Sequence, residues 1–163
     1  MTRNLVVAVL FFLGGYMVQQ ANGAPPSGKA EEPAISLGNF SISLAVKDLA
    51  KSRDFYEKLG FHVRSGDWKK WVVMVNDSAI IGLFQGFIEK NSLTFNPGWD
   101  RSRKTLPTFQ DIREIQKALK SRGLELATKA DESTTGPASF SLTDPDGNPI
   151  LIDQFVPAPK KEN

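Results

Sequence analysis

The sequence of 163 residues contains no cysteine and only one histidine, His62. Without cysteine the chain cannot form disulfides, thiolate nucleophiles or cysteine metal sites. His62 has no plausible nucleophile near it in the sequence, so no Ser-His-Asp set is predicted. A phosphate-binding glycine loop and a nucleotide fingerprint are also missing. The chain therefore lacks the motifs of the common thiol, serine and nucleotide-dependent enzymes.

The sequence also has no large excess of charge of either sign, because its 20 basic residues are nearly balanced by 18 acidic ones. The local basic runs are residues 101–104 (RSRK) and Lys160-Lys161. Neither run is interleaved with a nucleic-acid module, so both are interpreted as solvated loop and tail charges. We expect no nucleic-acid partner.

The N-terminal region has the layout of a secretory signal peptide, predicted at residues 1–23. Arg3 supplies a positive start, residues 5–13 (LVVAVLFFL) form an unbroken apolar run, and small residues surround Gly23. The apolar run is well short of the roughly 20 residues of a spanning helix. This favours cleavage after Gly23 over an uncleaved membrane anchor. We expect an exported protein, periplasmic or secreted, with no stable membrane anchor.

The rest of the chain divides into a linker, one domain and a tail. Residues 24–36 (APPSGKAEEPAIS) are rich in Pro, Ala, Gly and charge, which predicts disorder. Residues 37–156 have the length of one ordinary domain. Residues 157–163 form a charged tail.

Two modules, at about residues 39–86 and 92–156, each show the order strand, helix and three strands. In the first module, residues 39–46 alternate with a period of two, as a half-buried strand does. Asp48 then caps a helix that Gly60 ends. Further strands are predicted at residues 61–64, 71–75 and 79–85.

The second module repeats this order, with a strand at residues 92–96 and a helix whose capping box is formed by Thr108 and Asp111. The two helices align at an offset of 63 residues, at which Asp48 matches Asp111 and Gly60 matches Gly123. This alignment favours a duplicated module. The last three strands of the second module are predicted at residues 124–128, 139–142 and 150–155.

Two motifs stand near opposite ends of the domain. Residues 46–49 read Val-Lys-Asp-Leu and lead through Phe55-Tyr56 to Leu-Gly-Phe at residues 59–61, and residues 143–148 read Thr-Asp-Pro-Asp-Gly-Asn. Both motifs resemble signatures of the vicinal oxygen chelate superfamily, which includes glyoxalase, bleomycin resistance protein and extradiol dioxygenase. The resemblance covers roughly residues 40–155. It implies an α+β fold in which two βαβββ modules pair into a half-open barrel around a cup.

Metal-dependent members of that superfamily hold a divalent ion with four side chains, His or Glu, that point into the cup. Counted from the two motifs, the corresponding positions carry no imidazole or carboxylate here: Ser41, Gly82, Ser92 and Leu151. His62 lies outside these positions, and a surface or packing role is favoured for it. The resemblance therefore implies a member that has lost its metal, and we expect no metal and no cofactor.

Strand parity predicts which side chains share the cup. They combine small hydroxyls and apolar groups with one amide and one carboxylate, as small-molecule sites do. The predicted lining is Ser41, Ser43, Ile80, Gly82, Phe84, Ser92, Thr94, Asn96, Leu151 and Asp153, with Trp99 at the rim.

Three aspects of this lining stay open. Trp99 either closes over a ligand or packs its loop onto the barrel. Asp153 is a weak candidate for ligand binding or for a general base, and its alternatives are solvation or pairing with Lys47 or Arg64. Two other tryptophans, Trp68 and Trp71, are interpreted as strand packing or as a contact in a homodimer.

Three functions are therefore compatible with the sequence. The favoured one is an exported module that binds a small molecule without a metal. The second is a glyoxalase-like lyase or isomerase that uses Asp153 as base or recruits a metal. The third is an interaction domain whose cup is filled by its own side chains or by a partner. The missing metal donors favour the first, because activity by family analogy alone is a weak argument.

Overall fold

The segments with strand or helix periodicity become the elements of the fold. The computed structural model describes residues 34–160, so the predicted signal peptide and most of the predicted linker lie outside the described residues. The elements are β1 (Asn39–Val46), α1 (Leu49–Lys58), β2 (His62–Gly66), β3 (Trp71–Asn76), β4 (Ala79–Gln85), β5 (Ser92–Asn96), α2 (Ile112–Ser121), β6 (Ala138–Thr143) and β7 (Pro149–Gln154).

The strands form one mixed sheet in the order β2-β3-β4-β1-β5-β7-β6. Within each module the first strand pairs in parallel with the last, β1 with β4 and β5 with β7. The modules meet in the middle of the sheet, where β1 runs antiparallel to β5. The predicted α+β class is confirmed, and the sheet is curled rather than closed into a barrel.

Each helix covers the half of the sheet that belongs to its own module. The core under α1 consists of Leu49, Val72, Met74, Ile81 and Leu83, and the core under α2 of Ile112, Ile115, Ala130, Phe140, Leu142 and Ile152. Successive residues of a strand point to opposite faces. The residues between these core positions are therefore directed to the other face of the sheet.

The two helices begin and end in the same way. Asp48 and Asp111 are the N-caps, and each accepts a backbone N–H of the first turn, at 3.0 and 2.9 Å. Gly60 and Gly123 follow the helices with φ of 88° and 80°, the left-handed conformation that glycine adopts at least cost. These features repeat at the predicted offset of 63 residues. The predicted capping box is wrong, because Asp111 is itself the N-cap and Thr108 precedes it.

The strand predicted at residues 124–128 is wrong as well. This segment reaches the sheet at Ser141 alone in β6, whose carbonyl accepts the N–H of Ala127 at 2.8 Å. The Ser141 N–H in turn donates to the hydroxyl oxygen of Thr128 at 2.9 Å. A side-chain oxygen thus takes the position of a strand carbonyl, and the hydrogen bonds of residues 127 and 128 to β6 all go to Ser141. The second module has three described strands where four were predicted.

Candidate functional site

The face of the sheet opposite the helices encloses a cavity of about 400 Å³, here called the cup. Every predicted lining residue except Gly82 lines it: Ser41, Ser43, Ile80, Phe84, Ser92, Thr94, Asn96, Trp99, Leu151 and Asp153. They meet because parallel and antiparallel pairing bring four strands side by side in the order β4, β1, β5 and β7. Phe155, which parity places on the same face as Leu151 and Asp153, also lines the cup. Six lining residues were not predicted: Asn39, Trp71, Val73, Phe87, Ile88 and Arg103.

Small hydroxyl groups form the middle of the cup, where the modules join. The register between β1 and β5 pairs Ser41 with Thr94 and Ser43 with Ser92. The hydroxyls of Ser43 and Thr94 lie 3.0 Å apart and share a hydrogen bond. This region therefore presents neutral groups that can donate or accept hydrogen bonds.

An aromatic wall closes the side of the cup that belongs to the first module. Trp71 lies opposite Phe84 in the β3–β4 register, and their ring centroids are 6.5 Å apart at an interplanar angle of 20°. Phe87 contacts Phe84 edge-on at 5.3 Å. Trp71 therefore packs against the neighbouring strand, as one of its two sequence interpretations predicted, and its ring forms part of the cup wall. The sequence could have indicated this position of Trp71, because the two-residue turn at Asp77-Ser78 fixes the register between β3 and β4.

Phe84 also explains why Gly82 does not line the cup. A Cβ atom added at Gly82 would lie 2.5 Å from Cε2 of the Phe84 ring. The ring thus covers the position at which metal-dependent relatives were expected to carry their second ligand. Glycine is the residue that leaves room for it.

The rim of the second module is a stack built on Trp99. The Trp99 and Phe155 rings lie 4.6 Å apart and nearly parallel, at 6°. The Arg103 guanidinium carbon lies over the Trp99 ring, 4.6 Å from its centroid. Both groups lie against the Trp99 ring, which is thus packed within its own rim. This geometry fits the packing interpretation of Trp99 better than a ring that closes over a ligand.

Arg103 is the charged residue of the cup that the sequence prediction missed. It was interpreted as a solvated loop charge, but it is half-buried and lines the cup. Its Nη1 donates to the Ser65 hydroxyl at 3.0 Å. Burial, together with the nearby Arg64 guanidinium, lowers the pKa of Arg103 from its ordinary value. No periodicity in the loop before α2 could have indicated this position.

Asp153 is the one carboxylate among the residues that line the cup. Its backbone carbonyl accepts a hydrogen bond from Nδ2 of Asn96 at 3.0 Å, which commits that amide nitrogen to the sheet. Among residues 34–160 its carboxylate has no hydrogen-bond or ion-pair partner, and burial raises its pKa above the ordinary value. The proposed pairing with Arg64 is wrong, because Arg64 donates to the carbonyl of Ser102 at 2.8 Å.

The donors in the cup do not fit the divalent metal site that the superfamily implies. The four corresponding positions carry two hydroxyls, a glycine and a leucine: Ser41, Gly82, Ser92 and Leu151. Across the described part of the chain no three His, Cys, Asp or Glu side chains form a cluster that could hold an ion. His62 is exposed and does not line the cup. A single carboxylate without imidazole partners is a poor donor set for such an ion.

The family model of the Glyoxalase/Bleomycin resistance protein/Dioxygenase superfamily matches residues 39–152. No curated protein sequence matches the chain. Within residues 34–160 there is no helix long and apolar enough to cross a membrane.

Several solved structures share the fold at low sequence identity. One is titled an NAD-dependent benzaldehyde dehydrogenase from Legionella pneumophila, with a TM-score of 0.54, 19% identity, and coverage of 71% of this chain and 98% of that one. A superfamily member from Vibrio splendidus has a TM-score of 0.50 at 17% identity, and the match covers 71% of this chain and 97% of that one. Homoprotocatechuate 2,3-dioxygenase from Brevibacterium fuscum has a TM-score of 0.50 at 20% identity, covering 83% of this chain and 41% of the dioxygenase.

Proposed function

Because the chain belongs to the glyoxalase/bleomycin resistance protein/dioxygenase superfamily, we propose that it is an exported protein that binds a small molecule without a divalent metal. The observation that carries this proposal is the cup itself. A cavity of about 400 Å³ has aromatic and aliphatic walls and a few convergent polar groups, as small-molecule sites do. An open cavity of this volume argues against a cup filled by its own side chains.

Metal independence rests on the donor set. The imidazole and carboxylate groups that would hold an ion are replaced by Ser41, Gly82, Ser92 and Leu151, and the Phe84 ring covers the glycine. Recognition must then come from shape, apolar burial and hydrogen bonds to the hydroxyl groups.

A binding measurement with an uncharged aromatic probe tests the proposal. We expect N-phenyl-1-naphthylamine to bind saturably, with enhanced fluorescence that EDTA does not change. Leu151→Trp should abolish binding, because residue 151 lines the cup and a larger ring would fill it. Leu124→Trp is the matched control, since Leu124 is exposed and does not line the cup. Absence of saturable binding, or equal loss in both variants, would refute the proposal.

Export rests on the apolar run at residues 5–13 and the small residues around Gly23. Mass spectrometry of protein made in a secretion-competent host should find an N-terminus at Ala24 or Pro25. A protein that keeps Met1 in the soluble cytoplasmic fraction would contradict export.

Asp153 supports a second candidate, a lyase or isomerase in which this carboxylate moves a proton. An unpaired carboxylate in a cavity, with a raised pKa, has the properties of a general base. If the protein is such an enzyme, Asp153→Asn should bind the substrate and fail to turn it over. A pure binding protein would show no turnover in either form.

A further inference from the structure

We propose that the ligand of the cup is an organic anion, an aromatic or aliphatic acid whose negative group pairs with Arg103. This inference rests on the proposed function, since it assumes that the cup binds a small molecule. It goes further by assigning the chemical class of the ligand and the residue that selects it.

The first argument is the unbalanced charge of Arg103. Its guanidinium lines the cup and has no carboxylate partner among residues 34–160, where its hydrogen bond goes to the neutral Ser65 hydroxyl. Asp100, in the same loop, uses Oδ1 to accept the backbone N–H groups of Ser102 and Lys104, both at 2.8 Å. Asp153 lines the same cavity and does not pair with Arg103 either. The positive charge is therefore left for a group that enters the cup.

Arg64 strengthens this charge. Its own guanidinium donates to the carbonyls of Arg101 and Ser102, and among residues 34–160 it has no acidic partner. It lies close enough to disfavour the charged form of Arg103. Two neighbouring guanidinium groups without a carboxylate partner in the described part of the chain raise the local positive potential. An anion bound at Arg103 relieves this repulsion and replaces the water that burial has removed.

The second argument is that the guanidinium is held in position before any ligand binds. Its carbon lies 4.6 Å from the Trp99 centroid in a cation–π contact, and its Nη1 donates to the Ser65 hydroxyl, so two contacts restrain the group. The Arg103 backbone has φ of 60°, a left-handed conformation that a non-glycine residue keeps only where its surroundings hold it. A fixed planar fork of N–H donors suits the paired oxygens of a carboxylate, sulfonate or phosphate.

A pair of fluorescent probes that differ in one anionic group tests the inference. 1-Anilinonaphthalene-8-sulfonate carries the sulfonate that N-phenyl-1-naphthylamine lacks. We expect the sulfonate probe to bind the full mature protein about tenfold more tightly, and salt to weaken only that probe. Arg103→Gln should lower the affinity for the sulfonate by about 10–100-fold and leave the neutral probe within about twofold. Arg103→Lys should recover part of the loss.

Two control variants separate recognition from loop structure. Lys104→Gln removes one positive charge from the same loop outside the cup, and should change neither affinity more than about twofold. Ser65→Ala removes the hydrogen bond of Arg103 but keeps its charge, and should preserve the preference for the sulfonate.

The outcomes distinguish this inference from the proposed function. If the neutral probe binds and Arg103→Gln leaves the sulfonate affinity unchanged, the inference is wrong and the binding function stands. The inference also fails if Arg103→Gln weakens both probes equally, because Arg103 then only holds the loop. Failure of the neutral probe to bind the wild-type protein overturns the binding function itself, whereas failure of the sulfonate probe alone overturns only this inference.

Discussion

Asp153 is the residue of the cup whose ionisation opposes folding. Its carboxylate is partly removed from water and has no partner among the described residues, so burial disfavours its charged form. The folded-state pKa thus lies above the unfolded value, and the native state binds the proton more tightly. The free energy of unfolding therefore falls as the pH rises from the ordinary pKa of this carboxyl group to its raised pKa.

We therefore predict that Asp153→Asn raises the melting temperature at neutral pH. The gain should disappear at acid pH, below the ordinary value of 3.8, where both states are protonated. Thermal melts of the two proteins across this range measure the difference. A lower melting temperature of Asp153→Asn at neutral pH would contradict the prediction and indicate a structural partner for the carboxylate.

Asp144 supplies a control of opposite sign. Hydrogen bonds from the side chain and backbone of Asn148 lower the pKa of Asp144, so its charged form supports the turn that precedes β7. Asp144→Asn should lower the melting temperature at neutral pH, with the loss shrinking as the pH falls below the ordinary value of 3.8 and through the lowered pKa. The two variants remove the same charge and should move stability in opposite directions.

At the scale of elements, a glutamine at the end of each module ties its helix to the sheet. Gln85, the last residue of β4, accepts the N–H of Leu49 at 2.7 Å, and Gln154, the last residue of β7, accepts that of Ile112 at 2.8 Å. Leu49 and Ile112 are the first residues of α1 and α2, whose N–H groups have no partner within the helix. The duplication is thus visible in hydrogen bonds as well as in element order.

The two glutamines differ in burial, which gives a matched pair of variants. Gln154 is fully buried, and its Nε2 also donates to Asp111 Oδ2 and to the Val156 carbonyl, both at 3.0 Å. Gln154→Leu should therefore lower the free energy of unfolding by about 2–4 kcal/mol, because it leaves several buried groups without a partner. Gln85→Leu, at a half-buried site, should cost about 1 kcal/mol. Urea unfolding measures both, and equal costs would refute this account of burial.

The strands could be predicted largely from the sequence, because alternation determines which side chains share a face. Once the family resemblance had assigned Ser41 and Ser92 to the cup, alternation along the fifth strand predicted that Thr94 lies there as well, and it lines the cup. The strand predicted at residues 124–128 failed because the Thr128 hydroxyl competes with the backbone for Ser141. Arg103 could not be predicted, since its position depends on Trp99 and Ser65, contacts made by an aperiodic loop.

At the scale of the whole molecule, the cup is a consequence of how the modules join. Each helix packs on its own half of the sheet, and the antiparallel pairing of β1 with β5 places the two uncovered faces side by side. The cavity therefore has an aromatic wall from one module and the Trp99 stack from the other, with small hydroxyl groups between them. The family resemblance carried by the motifs could predict this architecture, with Trp99 at its rim, but not the Arg103 guanidinium that lies over Trp99.

The last prediction concerns metal ions and the stability of the whole protein. An ion held tightly by the native state would stabilise it by about 2.7 kcal/mol at a hundredfold excess over the dissociation constant, which is a shift of several degrees in melting temperature. Because the cup offers one carboxylate and no imidazole, we expect no shift on adding EDTA, Zn²⁺, Ni²⁺ or Mn²⁺. The triple variant Ser41→His, Ser92→His and Leu151→Glu restores donors at three positions and should gain a shift with Zn²⁺ or Ni²⁺. Metal independence is wrong if EDTA destabilises the wild-type protein or if elemental analysis finds near-stoichiometric metal in it. The ion would then be held by groups other than the residues at the four corresponding positions.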